Sequence, residues 1–485
     1  MNHTHASTGI RGLDDVLVGG FPRNHLFLVE GHPGTGKTTM ALQFLLAGQR
    51  DGEKGLYVTL SESKNEIIEV GASHGWQLDS IPIFEMTPSE EDLAPEEQYT
   101  VFHPSDVELN DTTKLVLQQV DETNPSRVVF DSLSELRLLA RDALRYRRQI
   151  LALKRYFAGR RCTVLLLDDL TADPSDLQLE SIAHGVITMQ RLEREYGINR
   201  RRLEVRKMRG SRFREGYHDF SIEPGGIVVH PRLIAAEHRP HPDQEPVPSG
   251  VKELDALLGG GIDSGTSTLL MGPAGSGKST IAAHYAIAAA QRNDFACFFC
   301  FDESAATLAK RSRGLGMSLD KHMESGKLMV QQIDPAELAP GAFVARIREM
   351  VVNQNAKLVV IDSLNGLLNA MPDERFLVIQ LHELLTFLGQ QGVCTIMTLA
   401  QQGLIGNNMT SPLDLSYIAD SVVLFRYFES AGRVKQALSV VKKRSGPHER
   451  TIRELSFGPR GVQVGPPLEH FEGVLTGVPR QKDSR

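Results

Sequence analysis

Cysteine, tryptophan and long apolar runs are scarce in this sequence. Its 485 residues include four cysteines and one tryptophan. No stretch reaches the ~18 to 20 apolar residues that a membrane-spanning helix needs. The polar, His-rich N-terminus lacks the apolar segment of a signal peptide. We therefore expect a cytoplasmic protein without a membrane segment, whose cysteines are reduced and buried.

The cysteines offer little for metal binding. Cys297 and Cys300 have the spacing of half a zinc site, but no second pair of cysteines follows them. Both lie in an apolar strand-like run, and residues three apart in a strand face opposite sides of a sheet. Cys162 and Cys394 lie in or beside similar runs. Buried thiols are therefore the favoured interpretation.

An excess of positive charge is also lacking, since the net charge is −7 and the pI is near 6.2. A ring-shaped DNA motor of the RecA or DnaB type needs basic pore loops and aromatic groups that stack on bases. The segments that would form such loops, residues 170–178 and 403–412, are poor in Lys and Arg. Nucleic acid is therefore disfavoured as a partner, and the DNA motor is kept as an alternative function.

What the sequence does contain is one phosphate-binding motif in two copies. It reads GHPGTGKT at residues 31–38 and GPAGSGKS at residues 272–279. Both copies match G-x-x-x-x-G-K-[ST], and each lies between an apolar strand-like run and an apolar helical stretch. A glycine-rich turn with a chance lysine would not repeat this context.

The flanks of the motif are duplicated with it. Residues 7–15 resemble residues 248–256, and a Gly-Gly pair follows each passage. The spacing from Lys37 to Lys278 is 241 residues, and Glu303 lies the same distance beyond its counterpart in the first half, Glu62. We infer a tandem duplication of an ATP-binding domain.

The chemistry of the loop explains its residues. Glycines let backbone N–H groups surround phosphate oxygens, lysine reaches the outer phosphates, and the Ser or Thr hydroxyl binds Mg²⁺. The following helix directs its positive end at the same anion. The residues expected to bind ATP are Gly34, Thr35, Gly36, Lys37, Thr38 and Thr39, and Ala274, Gly275, Ser276, Gly277, Lys278, Ser279 and Thr280.

Apolar strand-like runs alternate with helical patterns in both halves, which predicts an α/β fold with a mostly parallel, twisted sheet flanked by helices. We place the first domain at residues 1–230 and the second at 248–478. Residues 231–247 are rich in Pro and His and are typical of an extended linker. Residues 479–485 form a short polar tail that we expect to be disordered.

An aspartate follows an apolar strand in each half, at Asp131 and Asp362. In a P-loop domain such a carboxylate orients Mg²⁺ or its water ligands. The alternative is an ordinary Asp at a strand end. The expected metal site contains Thr38, Asp131, Ser279, Asp302 and Asp362.

A second acidic element follows the strand after each P-loop helix, as Ser61-Glu62 in the first half and Asp302-Glu303 in the second. A carboxylate here can orient water for attack on the γ-phosphate. We therefore assign catalytic roles to Glu62, Asp302 and Glu303, with a solvated acidic loop as the alternative. The first half has one acid at this place and the second half has two, which suggests that the two sites are chemically unequal.

A third element is basic, Lys-Met-Arg-Gly-Ser at residues 207–211 and Lys-Lys-Arg-Ser-Gly at 442–446. Each follows an alternating run, so we place it at a hairpin tip or on an edge strand. Basic groups far from their own P-loop commonly bind a neighbouring subunit's phosphates. The alternative is a solvated basic turn.

Together these elements resemble the KaiC family of double-domain RecA-like ATPases, named for the cyanobacterial circadian clock. The resemblance extends from Ser7 to about Pro479 and includes both P-loops, the acidic positions, Lys-x-Arg-Gly at 207–210 and His-Phe-Glu from His470. It implies tandem RecA-like P-loop NTPase domains in a homohexamer of two stacked rings, with ATP between subunits.

The resemblance also implies roles for particular residues. Glu62 and Glu303 correspond to the hydrolytic glutamates, and Ser73 to a nucleotide contact. Lys207 and Arg209, and Lys442 and Arg444, would reach the neighbouring subunit's nucleotide, and Met208, Ser211 and Lys443 of the same segments are further nucleotide-binding candidates. A KaiB-like or two-component signalling partner is compatible with this family.

Departures from the family pattern limit what carries over. The family has two glutamates where this chain has Ser61-Glu62 and Asp302-Glu303. At the autophosphorylation pair this chain keeps Ser416 but has Tyr417 in place of threonine. Ser416 is thus a phosphorylation candidate, the alternative being a serine that only forms hydrogen bonds. The sequence stops soon after His-Phe-Glu, so we do not expect activation by KaiA.

The leading functional prediction is therefore an ATP-hydrolysing hexameric signalling switch that uses ATP and Mg²⁺, with Ser/Thr autokinase activity at Ser416. Besides the DNA motor, a nucleotide-gated scaffold with little turnover is an alternative. The serine at position 61 and the aspartate at position 302 would favour that scaffold if they slow hydrolysis.

Overall fold

The computed structural model describes residues 4–86, 104–140, 142–170, 178–237, 245–369, 374–401, 415–475 and 480–481. The chain divides into two compact units, Met1–Arg232 and Leu233–Arg485. Each unit contains one P-loop, and each is described by itself below.

In the described part of the first unit, nine strands form one sheet with the order β11-β10-β9-β8-β3-β7-β6-β4-β5. The six strands from β8 to β5 in this order are parallel, and β9 to β11 extend the sheet as an antiparallel meander. The short strands β1 (His5–Ala6) and β2 (Phe21–Pro22) pair separately. The sheet strands are β3 (Leu26–Gly31), β4 (Gly55–Thr59), β5 (Ile83–Glu85), β6 (Arg127–Asp131), β7 (Thr163–Asp169), β8 (Gly185–Leu192), β9 (Arg200–Met208), β10 (Tyr217–Glu223) and β11 (Gly226–His230).

Helices cover both faces of this sheet, so its central strands are apolar on both sides rather than alternating. The helices are α1 (Leu13–Val16), α2 (Lys37–Arg50), α3 (Lys64–Ser73), α4 (Pro104–Thr123), α5 (Leu133–Ala140), α6 (Ala143–Ala158) and α7 (Gln178–Ile182). Phe27 and Val29 of β3 pack in the same core as α2, whereas Leu26 and Leu28 pack in the core of α5 and α6. The sheet thus separates two apolar layers.

The described part of the second unit repeats this topology, with nine strands in the order β16-β15-β17-β18-β14-β19-β20-β21-β22. Six parallel strands are again followed by an antiparallel extension, β20 to β22. The sheet strands are β14 (Ser267–Gly272), β15 (Phe295–Cys300), β16 (Leu328–Gln332), β17 (Ala356–Asp362), β18 (Cys394–Ala400), β19 (Ser421–Ser430), β20 (Arg433–Lys443), β21 (Arg453–Gly458) and β22 (Gly461–Pro467).

The second unit also has two apolar layers, one on each face of its sheet. Its helices are α8 (Lys252–Leu257), α9 (Lys278–Gln291), α10 (Ala305–Gly314), α11 (Leu319–Glu324), α12 (Pro340–Gln354), α13 (Leu364–Asn369) and α14 (Glu374–Gln390). Two pairs of short strands lie outside the sheet, β12 (Pro246–Val247) with β13 (Ile262–Asp263) and β23 (Phe471–Glu472) with β24 (Arg480–Gln481).

The predicted α/β fold, with tandem P-loop domains built on mostly parallel sheets, is confirmed. The pattern of buried strand, glycine-rich loop and helix correctly places β3 before α2 and β14 before α9, with the strand bounds predicted to within two residues and the helix bounds to within four. The prediction succeeds because these strands are buried on both faces and carry a continuous apolar signal.

The domain boundaries stay predictions, and local contacts describe the predicted linker, the tail and the basic segments. The predicted linker, residues 231–247, is not extended throughout, because Leu233 is buried in the second unit and the Ala235 amide donates to Glu383 Oε2 at 3.0 Å. Residues 238–244 lie outside the described residues. The predicted disordered tail contains β24. The basic segments lie where β9 and β20 end and the turns to their antiparallel partners β10 and β21 begin, which is the predicted hairpin position, and not on edge strands.

The cysteine prediction is confirmed. All four cysteines are buried and unbridged, and Cys297 and Cys300 belong to the apolar layers on opposite faces of the second sheet. Burial raises the pKa of each of these two thiols to about 12. No helix among the described residues is long and apolar enough to span a membrane.

Candidate functional site

The first phosphate-binding loop connects β3 to α2 at the carboxyl edge of the parallel strands. Gly36 precedes α2 with a φ of 101°, and a Cβ there would lie 2.8 Å from Ile222 Cδ1, so only glycine fits without strain. Lys37 Nζ donates to the carbonyls of Gly31 (2.8 Å) and His32 (3.2 Å). The loop is therefore closed around its own lysine, with α2 beginning at that residue.

The second loop has the same geometry between β14 and α9. Gly277 has a φ of 97°, and Lys278 Nζ donates to the carbonyls of Gly272 (2.9 Å) and Pro273 (2.7 Å). Burial lowers the pKa of Lys278 to about 8, although Asp362 and Asp302 oppose the shift. This lysine is buried beside two carboxylates at the position where phosphate would bind.

Other loop residues support the backbone rather than pointing outward. The Thr35 and Ser276 hydroxyls are fully buried and donate to the carbonyls of His32 and Pro273, each at 2.8 Å. Thr39 and Thr280 are also buried. Gly34 has a φ of 77°, and the carbonyls of Ala274 and Gly275 accept hydrogen bonds from the Tyr427 hydroxyl at 3.2 Å and from Gln436 Nε2 at 3.3 Å.

The predicted metal residues meet in both units. Thr38 Oγ1 donates to Asp131 Oδ2 at 2.9 Å, which brings together residues 93 positions apart. In the second unit a hydrogen bond between Ser279 and Asp362 acts to lower the pKa of Asp362, while burial raises it overall. A hydroxyl and a carboxylate in this arrangement are hard oxygen ligands of the kind that Mg²⁺ prefers.

A neighbouring strand supplies a further hydroxyl to each of these aspartates, but from opposite sides. Tyr57 of β4 donates to Asp131 Oδ2 at 2.5 Å, whereas Thr398 of β18 donates to Asp362 Oδ1. Position 57 corresponds to Phe298 in the second unit. The two units thus hold the same carboxylate with different residues.

Glu62 is held close to the first loop by its backbone. Its amide donates to Thr59 Oγ1 at 3.0 Å, and its carbonyl accepts from the same hydroxyl at 2.6 Å. Oε2 of Glu62 is buried without a hydrogen-bond partner. Burial, followed by the charge of Asp131, raises the pKa of Glu62. A buried carboxylate with a raised pKa is suited to accept a proton from water.

The second unit arranges its two acids differently. Asp302 is exposed and accepts a hydrogen bond from Ser363 Oγ at 2.5 Å, whereas Glu303 forms an ion pair with Arg311 at 2.7 Å. Burial raises the pKa of Glu303, and Arg311 opposes the shift. Glu303 is therefore already paired with a cation, unlike Glu62.

The basic elements occupy equivalent positions in the two units. Lys207 Nζ donates to the carbonyls of Glu180 and Ala183, and Lys442 Nζ donates to those of Ser416 and Ala419. Arg209 and Arg444 each donate to one further carbonyl of the same segments, at 2.8 and 2.7 Å. All of these contacts are with residues 180–183 and 416–419, and none is with the P-loop of the same unit.

The remaining residues of these elements have separate environments. Met208 is buried and lies against Gly185, so its side chain belongs to the core. Lys443 binds Asp263 at 3.1 Å, whereas Ser211 follows the turn after β9 and is half-buried. Sequence reasoning placed these residues together because they are adjacent in the chain, but adjacent residues of a strand face opposite sides.

Ser73 ends α3, is exposed, and donates to the Val70 carbonyl at 2.7 Å. Ser416 lies half-buried in a turn at 416–418, and Tyr417 is 56% exposed. Residues 171–177 and 402–414 lie outside the described residues. They include most of the first segment considered as a DNA-binding loop, 170–178, and all of the second, 403–412.

Sequence reasoning missed three polar residues at these sites besides Tyr57 and Thr398. Asp169 forms an ion pair with Lys37 at 2.7 Å, Arg311 pairs with Glu303, and Ser363 binds Asp302. Asp169 follows an apolar strand, which is the same signal that identified Asp131, so it was detectable. Arg311 gives no such signal, because it occupies an ordinary helix position.

The residues present fit a nucleotide with its divalent metal ion. The glycine-lined loops leave space that a Cβ would fill, a buried lysine lies at the start of each helix, and Glu62 Oε2 is an unpaired buried acceptor. No group of three or more His, Cys, Asp or Glu side chains that could hold a metal ion occurs in the described ranges.

Fold and site together define a tandem P-loop ATPase of the RecA-like class. The family model for the KaiC ATPase matches residues 6–234 and again 247–469, so the chain belongs to the KaiC family. It is thus a KaiC-family ATPase with a duplicated domain, and this family uses ATP with a divalent metal ion.

Several KaiC proteins are similar to this chain over nearly its whole length. The circadian clock oscillator protein KaiC of Acaryochloris marina is 26% identical over 98% of this chain and 91% of its own length. KaiC of Thermostichus vulcanus is 26% identical, covering 97% of this chain and 91% of its own length. The circadian clock protein KaiC3 of a Synechocystis species is 25% identical, with coverages of 97% and 94%.

Proposed function

We propose that this protein is a homohexameric, ATP-hydrolysing switch in which the first domain carries most of the turnover. The observation that supports this most directly is the buried, unpaired carboxylate oxygen of Glu62 beside the loop that holds Lys37. Glu303, its counterpart, is held by Arg311. Slow hydrolysis would bias the ring conformation, and a KaiB-like or two-component signalling partner in the cytoplasm would respond to that state.

In the proposed reaction Lys37 binds the outer phosphates, and Thr38 and Asp131 would hold Mg²⁺. The metal ion supplies charge neutralisation at the phosphate oxygens when bound. Glu62 orients a water molecule and accepts its proton as the water oxygen bonds to the γ-phosphorus. The bond from that phosphorus to the β,γ-bridging oxygen breaks, and ADP leaves. Lys278, Ser279, Asp362 and Glu303 take the same roles in the second domain.

We further propose that the basic segments complete the neighbouring subunit's site. The support is their arrangement, because Lys207 and Arg209 donate to carbonyls of residues 181–183 rather than to the P-loop of their own unit. Arg209 and Arg444 would then stabilise charge on the γ-phosphoryl group, as cations supplied in trans do in other P-loop enzymes. Such head-to-tail contacts generate a closed ring.

Mixing two inactive variants tests this arrangement. Lys37→Ala and Arg209→Ala proteins, both carrying Glu303→Gln, should each be inactive alone. In mixed rings, one interface in four combines an intact loop with an intact arginine, so roughly a quarter of the activity should return. Rings without any recovery of activity would contradict a site shared between subunits. Activity of the Arg209→Ala protein on its own would also contradict a site shared between subunits.

Ser416 is proposed as the autophosphorylation site of the second domain. It is half-buried in the turn whose carbonyls bind Lys442, and this turn therefore lies next to the basic segment that would face a nucleotide. Its hydroxyl would attack the γ-phosphorus, lose its proton to Glu303 or Asp302, and release ADP. Incubation with labelled ATP, followed by mass spectrometry, tests this with Ser416→Ala as the control. Label that persists in this variant, for instance on Tyr417, would contradict the assignment.

A nucleotide-gated scaffold is retained as a second candidate for the second domain alone. The observation in its favour is the ion pair between Glu303 and Arg311, which withholds the proposed base. If the second domain binds ATP but releases no phosphate, its role is structural. Phosphate release by a protein whose first site is silenced with Lys37→Ala distinguishes the two.

A further inference from the structure

Asp169 connects the end of a sheet strand to the lysine of the first loop. It is the last residue of β7, and its backbone is in register with Gly31 of β3. Its Oδ1 lies 2.7 Å from Lys37 Nζ, and its Oδ2 accepts a hydrogen bond from Ser134 Oγ at 3.2 Å. The carboxylate is therefore fixed from the side of the loop and from α5.

All three N–H donors of the Lys37 ammonium have acceptors in this arrangement. Its ammonium has three N–H donors, and they are directed at the carbonyls of Gly31 and His32 and at Asp169. The Lys37 side chain is only 8% exposed, so solvent and salt screen the ion pair weakly. The same ammonium is the group that a P-loop uses to bind the outer phosphates.

The second domain lacks this carboxylate. The residue in register with Gly272 is Ala400, and Lys278 forms no ion pair within the described part of the chain. Asn365, which corresponds to Ser134, instead bonds the backbone of Ala400, at 3.1 Å to its oxygen and 2.7 Å to its nitrogen. The two sites therefore differ in the direct partner of the phosphate-binding lysine, because Asp169 pairs with Lys37, whereas Asp302 and Asp362 lie near Lys278 without forming an ion pair with it.

We propose that Asp169 is a positioning residue of the first site, which competes with nucleotide phosphates for Lys37 and so weakens the binding of ATP and ADP there. The inference rests on the proposed function, because it assumes that Lys37 binds phosphate. Phosphate must replace Asp169 as the partner of Lys37, and the Asp169 carboxylate also repels the phosphate anion. Weaker binding of ADP speeds its release, so the first domain turns over faster wherever product release is limiting.

The test is the affinity for ADP of the full chain with its second site silenced by Lys278→Ala, measured by isothermal titration calorimetry. Asp169→Asn keeps the size of the side chain and an acceptor for Ser134. We expect it to bind ADP about tenfold more tightly, which is about 1.4 kcal/mol. A merely structural role predicts weaker binding, because a damaged site loses affinity. Unchanged or weaker binding overturns the proposal, and Asp169→Glu should restore the wild-type affinity.

A reciprocal pair of variants keeps the proposal testable if Asp169→Asn does not fold. In a Lys37→Ala background, Ala400→Asp should weaken ADP binding at the second site about tenfold, whereas Ala400→Asn, of equal size, should have a much smaller effect. Equal losses in both variants would mean that size rather than charge is responsible, and this overturns the proposal.

The same titrations separate this inference from the proposed function. If the Lys278→Ala protein binds ADP and Lys37→Ala removes that binding, the first site is functional. An unchanged affinity in Asp169→Asn then rejects the role of Asp169 alone. If Lys37→Ala makes no difference to binding, the proposed function fails, and the inference fails with it.

Discussion

Arg311 Nη2 lies 2.7 Å from Glu303 Oε1 in the second domain, and the corresponding residue in the first domain is Val70. This ion pair distinguishes two sites that share the loop, its lysine and the aspartate predicted to hold the metal ion. A base already paired with a cation accepts a proton less readily, because the cation favours its charged form and lowers its pKa.

We therefore expect Arg311→Val to accelerate phosphate release at the second site several-fold, on the order of three- to tenfold. The measurement is ATP turnover in a Lys37→Ala background, so that only the second site contributes. Arg313→Val is the matched control, since Arg313 lies on the same helix but pairs with Asp320 at 3.0 Å. Slower release in Arg311→Val would show that the arginine assists catalysis.

Glu30 gives the first domain a pH-dependent stability. It is 6% exposed in β3, in register with Asp168, and burial, followed by the charges of Glu180 and Asp168, raises its pKa to about 7, with Arg206 and Arg137 opposing. The folded state therefore retains this proton between about pH 4.5 and 7, where the unfolded chain has lost it. The free energy of unfolding should fall as pH rises through that window.

Glu30→Gln should remove this loss, so the variant should gain up to about 2–3 kcal/mol over the wild type between pH 5 and pH 8. Chemical denaturation followed by the fluorescence of Trp76, the only tryptophan, reports on the first unit. Glu69→Gln, at an exposed position of α3, is the control and should show no such difference. A gain that is equal at both pH values would contradict the shifted titration.

Tyr57 should control the affinity of the first site for Mg²⁺, because its hydroxyl orients Asp131. Loss of such a supporting hydrogen bond typically weakens metal binding about tenfold or more. Tyr57→Phe should therefore raise the Mg²⁺ concentration needed for half-maximal phosphate release by a Lys278→Ala protein. Tyr156→Phe removes a hydrogen bond to Asp121 outside the site and should leave this requirement unchanged.

Gly36→Ala should abolish nucleotide binding at the first loop. The new Cβ would lie 2.8 Å from Ile222 Cδ1 and would also strain a φ of 101°. Gly52→Ala has the strain at a φ of 77° but no atom within 4 Å, so it should cost about 1 kcal/mol of stability and keep ADP binding. Calorimetric titration of both variants separates contact from backbone strain.

The sequence was most informative where chemistry and backbone geometry demand particular residues. The glycines, lysine and hydroxyl of each loop could be identified, as could Asp131, because parallel strands bring their carboxyl ends to one edge. The contact between Thr38 and Asp131 follows from that rule. The ion pair of Arg311 does not, because a helix surface accepts many residues and its neighbours depend on packing. The true extent of the linker was also inaccessible, since the burial of Leu233 is a tertiary contact.

The most direct test of the proposed function is phosphate release by the full-length chain in Mg²⁺ and ATP, with Glu62→Gln and Glu303→Gln compared. Glu62→Gln should lose most of the wild-type rate, because a positioned general base contributes about a hundredfold or more at its own site, while ATP binding persists. Glu303→Gln should lose only a minor part. A Glu62→Gln protein that releases phosphate at the wild-type rate would contradict the assignment of Glu62 as the principal base.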